Sequence, residues 1–198
     1  MSRKSYLWIL GVLYLAWWVL MAIKPLDFSD WLMENVLVVL AVCLLVFTYK
    51  SFPLSRVSYT CIFIFMMLHA LGAHYTYAKV PYQEWIPALA GGRNHFDRLG
   101  HFMQGFVPAL VVREILFRNG IVRGRGWLFF VTVCVCMAIS VSYEFVEWAA
   151  ALILGQGADA FLGTQGDPWD TQWDMFLATV GAIAAQLCFR SAASPKRS

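Results

Sequence analysis

The sequence predicts an all-α fold, a polytopic membrane helical bundle of about six transmembrane helices with both termini in the cytoplasm. Three observations carry this. Only 14% of the residues are charged, where a soluble domain carries about 25%. The apolar residues gather into long runs, each long enough or nearly so to cross a hydrocarbon core of about 30 Å. The runs are continuous instead of alternating, which favours helices over strands. Hydrocarbon offers the backbone no water, so only helices or a closed barrel can span it.

The expected spans are 6–23, 33–49, 57–77, 98–117, 127–150 and 174–190. The first follows Arg3 and Lys4 and has the layout of a signal peptide. It is too long for one and has no small-x-small site before Lys24, so it reads as an uncleaved span. The third contains LHALGAHY, the fourth opens with RNHFDRLGHF and the fifth closes with SYEFVEWAA. The sixth follows the polar connector GTQGDPWDTQWD, Gly163 to Asp174. The nine tryptophans suit rings anchored at membrane interfaces. With no internal repeat, residues 1–198 are expected to form one integral membrane domain.

Orientation follows from the basic residues. With a cytoplasmic N-terminus, Lys24, Lys79, Arg93 and Arg98 lie outside, and the other eleven of the fifteen Lys and Arg lie inside. The acids sort oppositely: of twelve, only Glu114 falls in the inner half. All four histidines, His69, His74, His95 and His101, fall in the outer half. Positive-inside bias accounts for part of the acid distribution but not for the histidines. The cysteines, Cys43, Cys61, Cys134, Cys136 and Cys188, all sit within apolar runs and read as packing residues. This argues against a disulfide framework or a cysteine zinc cluster.

Four helix ends bring chemistry to the outer face. Asp97 and His101 are four apart and share a helix face, as a metal pair or as an acid orienting a base. A helix-dipole aspartate beside an interfacial histidine would look the same. Glu144 and Glu147 share a face of the fifth span, with Glu144 about 26 Å along it from Trp127. A carboxylate at that depth is costly unless it is paired or faces a polar cavity. His69 lies about 18 Å along the third span, as a ligand or as a neutral core residue. Asp174 opens the sixth span, and Asp170, one turn earlier, is a candidate cap. Ala178, Gly181, Ala182 and Ala185 then give small-xxx-small spacing for close helix packing.

The motifs NHFDRLGHF, YEFVEW and FLGTQGDPWDTQWDM, in this order, resemble the YjdF family of bacterial inner-membrane proteins over essentially the whole chain. That resemblance implies an inner-membrane location and this topology, and no particular activity. A more distant resemblance reaches the VanZ-like membrane proteins, linked to glycopeptide resistance. Asp97-Arg98-x-x-His101 matches their Asp-Lys-x-x-His pattern with Arg for Lys. Glu147 stands where they have Gln, and Ala178 where they have Asn; Asp174 and Gly181 match. The shared frame implies the same bundle and a polar outer site.

Three functions remain open on the sequence. The first is an enzyme-like site in which Asp97, His101, Glu144, Glu147 and Asp174 act on a lipid or cell-envelope head group. His69, His101, Glu144 and Asp174 are the candidate ligands of a divalent metal ion. The second is a small transporter or proton or ion pathway, which would need polar groups continuing inward. The third is a non-catalytic envelope binding or scaffold protein. The expected partners are the bilayer and a lipid or envelope-precursor ligand, not nucleic acid. The connector from Gly155 to Trp173 is expected to be ordered and to fold over the outer site, since a structureless loop of that length is unusual in a compact bundle.

Overall fold

The computed structural model describes residues 1–86, 88, 91–154 and 164–189. Among these the chain is helical and contains no strand. Six long helices run α1 Arg3–Met21, α2 Phe28–Thr48, α3 Arg56–His74, α5 Phe96–Arg118, α6 Arg125–Leu154 and α7 Asp170–Cys188. A one-turn helix, α4 Tyr82–Trp85, lies between α3 and α5 and has no counterpart among the expected spans.

Local chemistry sets the helix starts. Ser2, Asp27 and Ser55 cap α1, α2 and α3 by accepting from the first-turn amides. The Asp27 cap starts α2 five residues before the apolar run that marked it in the sequence, which draws Asp30 into the helix. The expected cap at Asp170 is corrected. Trp169 holds the N-cap position of α7 without a side-chain bond, and Asp170 is the first helical residue, paired with Arg93.

Four helices, α1, α2, α3 and α6, are long and apolar enough to cross a membrane on length and composition alone. The other two long helices, α5 and α7, are of spanning length but carry too many polar groups to qualify by that measure. They form the middle of the bundle. Their main contact is with each other, and α6 and α3 pack against α5. The polar helices are thus covered by α3 and α6, and the outer faces of the surrounding helices are apolar, including Trp8, Phe47, Phe130 and Ile153.

Small residues decide how α5 and α7 meet. A methyl group on Gly105 would overlap the backbone of Ala178, and one on Gly181 would overlap the backbone of Phe102. The seam steps every four residues on both helices. Going inward from Gly105 and Ala178, Ala109 and Ala182 are fully buried, and Arg113 donates to Gln186 at 3.2 Å. Residues a turn apart along matching ridges are the pattern expected for close helix packing. Both helices run from the outer end of the bundle inward, so the seam is parallel.

At the inner end Glu114 anchors a structural network. It accepts from the Ser55 amide at 2.8 Å, the Ser58 hydroxyl at 2.8 Å and Arg118 at 2.6 Å. One carboxylate thus closes the N-terminus of α3 against α5. The five cysteines are free thiols.

At the outer end the two connectors are stitched together. The Asn94 amide donates to Gln165 Oε1 at 3.1 Å, and Gln165 Nε2 donates back to the Asn94 carbonyl at 2.9 Å. Arg93 donates to the Thr164 carbonyl at 2.6 Å and pairs with Asp170. Arg98 pairs with Asp167 at 2.9 Å and lies over the Trp173 ring. The polar stretch from Thr164 to Asp170 therefore fastens the start of α7 to the start of α5. Residues 155–163 of the expected ordered connector lie outside the described residues.

Candidate functional site

The α5–α7 seam builds the site. One turn outward from Gly105 and Ala178 stand His101 and Asp174, with Asp97 one turn above His101. His101 Nε2 is 3.6 Å from an Asp97 oxygen and 3.8 Å from an Asp174 oxygen. All three residues are buried, and their ligand atoms lie within 4.8 Å of one another. Second oxygens on Asp97 and Asp174 are buried without a hydrogen-bond partner.

The histidine is oriented from behind. Its Nδ1 is 3.0 Å from Gln104 Oε1, which can only accept, so Nδ1 carries the proton. Nε2 then faces two carboxylates at distances too long for hydrogen bonds. Such an arrangement repels unless a proton or a cation lies between the groups. Two ligands about 2.1 Å from one ion at the tetrahedral angle stand roughly 3.4 Å apart. The observed spacing is close to that. A backing hydrogen bond on the second ring nitrogen is also the usual support of a metal-bound histidine.

The other sequence candidates fall around this trio. Glu147 lines the same cavity as Asp97 and His101. Glu144 is buried with one oxygen unpartnered, and it sits beside Thr171 in the first turn of α7 instead of lining that cavity. His69 stands apart from the trio, because both of its nitrogens are engaged. Nε2 lies 3.2 Å from the Glu34 carbonyl, which only accepts, so Nδ1 takes the Tyr77 hydroxyl at 2.5 Å. Arg98, next to Asp97 in the chain, is turned to Asp167.

Three contributors were missed in the sequence. Glu34, 4% exposed with one carboxylate oxygen unpartnered, comes from α2 to the cavity, 3.9 Å from His69 and beside Tyr143. Tyr143 also meets the His101 ring edge to face. Tyr77 enters from a turn in which Thr76 and Tyr77 both have positive φ, 54° and 47°. A β-branched residue in that region is a genuine outlier. The turn is held by what it achieves: the Tyr77 ring fills the space beside Gly72, where a Cβ would collide, and packs closely on Gly100. Glu34 could have been flagged as the fourth residue after Asp30 on one helix face. Nothing local in the sequence marks Tyr77 or Tyr143.

The cavity has a volume of about 570 Å³ and lies among α2, α3, α5 and α6. Its outer end carries Glu34, His69, Tyr77, Asp97, His101 and Glu147, and its deeper walls are almost wholly apolar. A buried group of carboxylates around one or two histidines has excess negative charge, which low-dielectric surroundings tolerate only with protons or a cation.

Comparison with known proteins places the chain in a family. The model of the family described as "Predicted membrane protein (DUF2238)" matches residues 6–194, and the chain belongs to that family. It is 53% identical over 161 residues to the inner membrane protein YjdF of Escherichia coli (strain K12), covering 79% of this chain and 76% of the relative. No solved structure matches.

Proposed function

We propose that this DUF2238 protein, a multi-pass protein of the bacterial inner membrane, holds a divalent metal ion at Asp97, His101 and Asp174 and uses it on the head group of a lipid or cell-envelope precursor at the periplasmic face. The observation that carries this is the convergence of one imidazole nitrogen and two buried carboxylates, each carboxylate with an unpartnered oxygen, on a rigid seam beside a cavity. A set of one histidine and two carboxylates suits zinc or manganese. Three protein ligands leave coordination positions open, which is the arrangement of catalytic sites. An ion there would supply Lewis acidity and an activated water. Gln104 would fix the His101 tautomer, Glu147 stands at the cavity as a proton carrier, and Glu144 would hold the first turn of α7 through Thr171.

A transport pathway finds less support. Towards the inner end, the polar groups are tied into structural pairs: Glu114 with Ser55, Ser58 and Arg118, and Arg113 with Gln186.

The test is metal analysis of the purified protein, followed by phosphorus NMR of proteoliposomes. The expected result is about one divalent ion per chain, lost in His101→Ala and Asp174→Asn but kept in His74→Gln. Head-group turnover should require the ion. Protein that is folded and active without bound metal, or Asp174→Asn that retains it, would refute the reading.

A further inference from the structure

Of the proposed metal trio, Asp97 and His101 line only the outer tip of the cavity, and Asp174 stands behind them on α7. The rest of the cavity is an apolar slot that the proposed chemistry does not explain. Along α2 it runs from Glu34 to Leu45, about 16 Å at 1.5 Å per residue, or roughly half of a 30 Å hydrocarbon core. The slot is therefore as deep as one leaflet. Its walls include Ala41, Leu45, Met66, Val111 and Ile139. Apolar space of this kind does not hold water well.

The slot is also open at the side. Leu37, Leu44, Ile139 and Val146 line it, yet they are 41%, 62%, 39% and 49% exposed. Leu37 and Leu44 belong to α2, and Ile139 and Val146 to α6. The opening thus lies between these two helices, where the molecule would face lipid. Its physical origin is that α2 is held chiefly by α3 and makes little contact with α5 or α6. A ligand arriving from water would have no use for a side opening at hydrocarbon depth. A membrane lipid would, because it can slide in without leaving the bilayer.

We infer that the slot takes one hydrocarbon chain of an outer-leaflet phospholipid, which enters sideways between α2 and α6 and places its phosphate at the Asp97, His101 and Asp174 cluster. The chain placement follows from the slot's depth, apolarity and side opening. The choice of a phosphate rests on the preceding reading of the cluster as a metal site, since carboxylates alone would repel an anion and a bound divalent ion would bridge the two. Glu34 and Glu147, which line the slot's outer end from α2 and α6, would flank the head group.

Photocrosslinking tests this in vesicles of phosphatidylethanolamine doped with phosphatidylglycerol that carries a diazirine on one chain. Adducts mapped by mass spectrometry should fall on Met66 and Val111 within the slot, as well as on the outward-facing Trp8 and Phe47. Ala41→Trp, at an exposed position on the slot's rim, should lower slot adducts about tenfold while leaving those on Trp8 and Phe47 unchanged. Val111→Phe fills the slot from the opposite wall and should act alike, so a folding defect in one variant does not decide the outcome. Wild-type adducts confined to outward-facing residues, or slot adducts unmoved by both variants, would overturn the proposal. A diazirine-bearing diacylglycerol, which lacks phosphate, should label the slot less; equal labelling would overturn the assignment of the head group. Metal analysis of the same samples separates the two readings: slot adducts without bound metal leave the chain site standing and refute the metal site, and bound metal without slot adducts does the reverse.

Discussion

Gly105 of α5 lies against the backbone of Ala178 of α7 so closely that no side chain fits between them. One turn outward on the same two helices, His101 and Asp174 face each other at 3.8 Å. The close approach of the two backbones is what brings the imidazole and the carboxylate within reach of a shared ion. The polar site is therefore a consequence of packing between small residues, several ångströms deeper in the bundle.

That relationship gives the first prediction. Gly105→Ala should destabilise the protein by about 1–3 kcal/mol through overpacking. It should also weaken metal binding at the site one turn away. Gly11→Ala is the control, since a methyl group there meets open space. Thermal unfolding in detergent, read alongside metal content, checks this. A Gly105→Ala protein as stable as wild type would show that the seam is looser than described.

The hydroxyl of Tyr77 gives the second. Tyr77→Phe removes the donor to His69 Nδ1 and leaves a buried acceptor unsatisfied, at a cost of about 1 kcal/mol. Nitrogen-15 NMR of labelled histidine should show His69 changing its environment while His101, held by Gln104, does not. A change at His101 instead would mean that the two histidines share one network.

The third concerns the outer clamp. Arg93 reaches both the Thr164 carbonyl and Asp170. Arg93→Ala should free the Thr164–Trp169 segment and speed its cleavage by protease added to the periplasmic side. Arg93→Lys should rescue only partly, because an ammonium lacks the planar fork that serves two acceptors at once. Cleavage as slow as in wild type would assign the order of this segment to other contacts.

Topology gives the fourth. The eleven-to-four distribution of Lys and Arg across the two faces predicts a cytoplasmic C-terminus. Green fluorescent protein fused at the C-terminus should fluoresce, and alkaline phosphatase fused there should stay inactive. The opposite pattern would place the cluster on the cytoplasmic face and move the proposed lipid site to the inner leaflet.

Apolar runs and turn chemistry determined by themselves that the chain is a helical membrane bundle, and where its six long helices lie within a few residues. They also brought Asp97, His101, Glu144, Glu147 and Asp174 to helix ends at one face, because intervals of three and four residues fix which side chains share a face. The sequence underweighted Glu34, which lies inside an expected span but whose place at the cavity is set by how α2 packs. It also rated α5 and α7 as spans like the rest, whereas they are a polar pair packed on each other and against α3 and α6. Only the tertiary structure decided which candidates meet. Whether His101 faces Asp174 or lipid depends on the rotation and register of two helices joined by more than fifty residues, and those are set by backbone contact at Gly105 and Gly181. The same holds for His69, whose nitrogens are used by a carbonyl on α2 and a hydroxyl from a strained turn. Local pattern fixes the face of a helix, but which partner that face finds is a property of the packed whole.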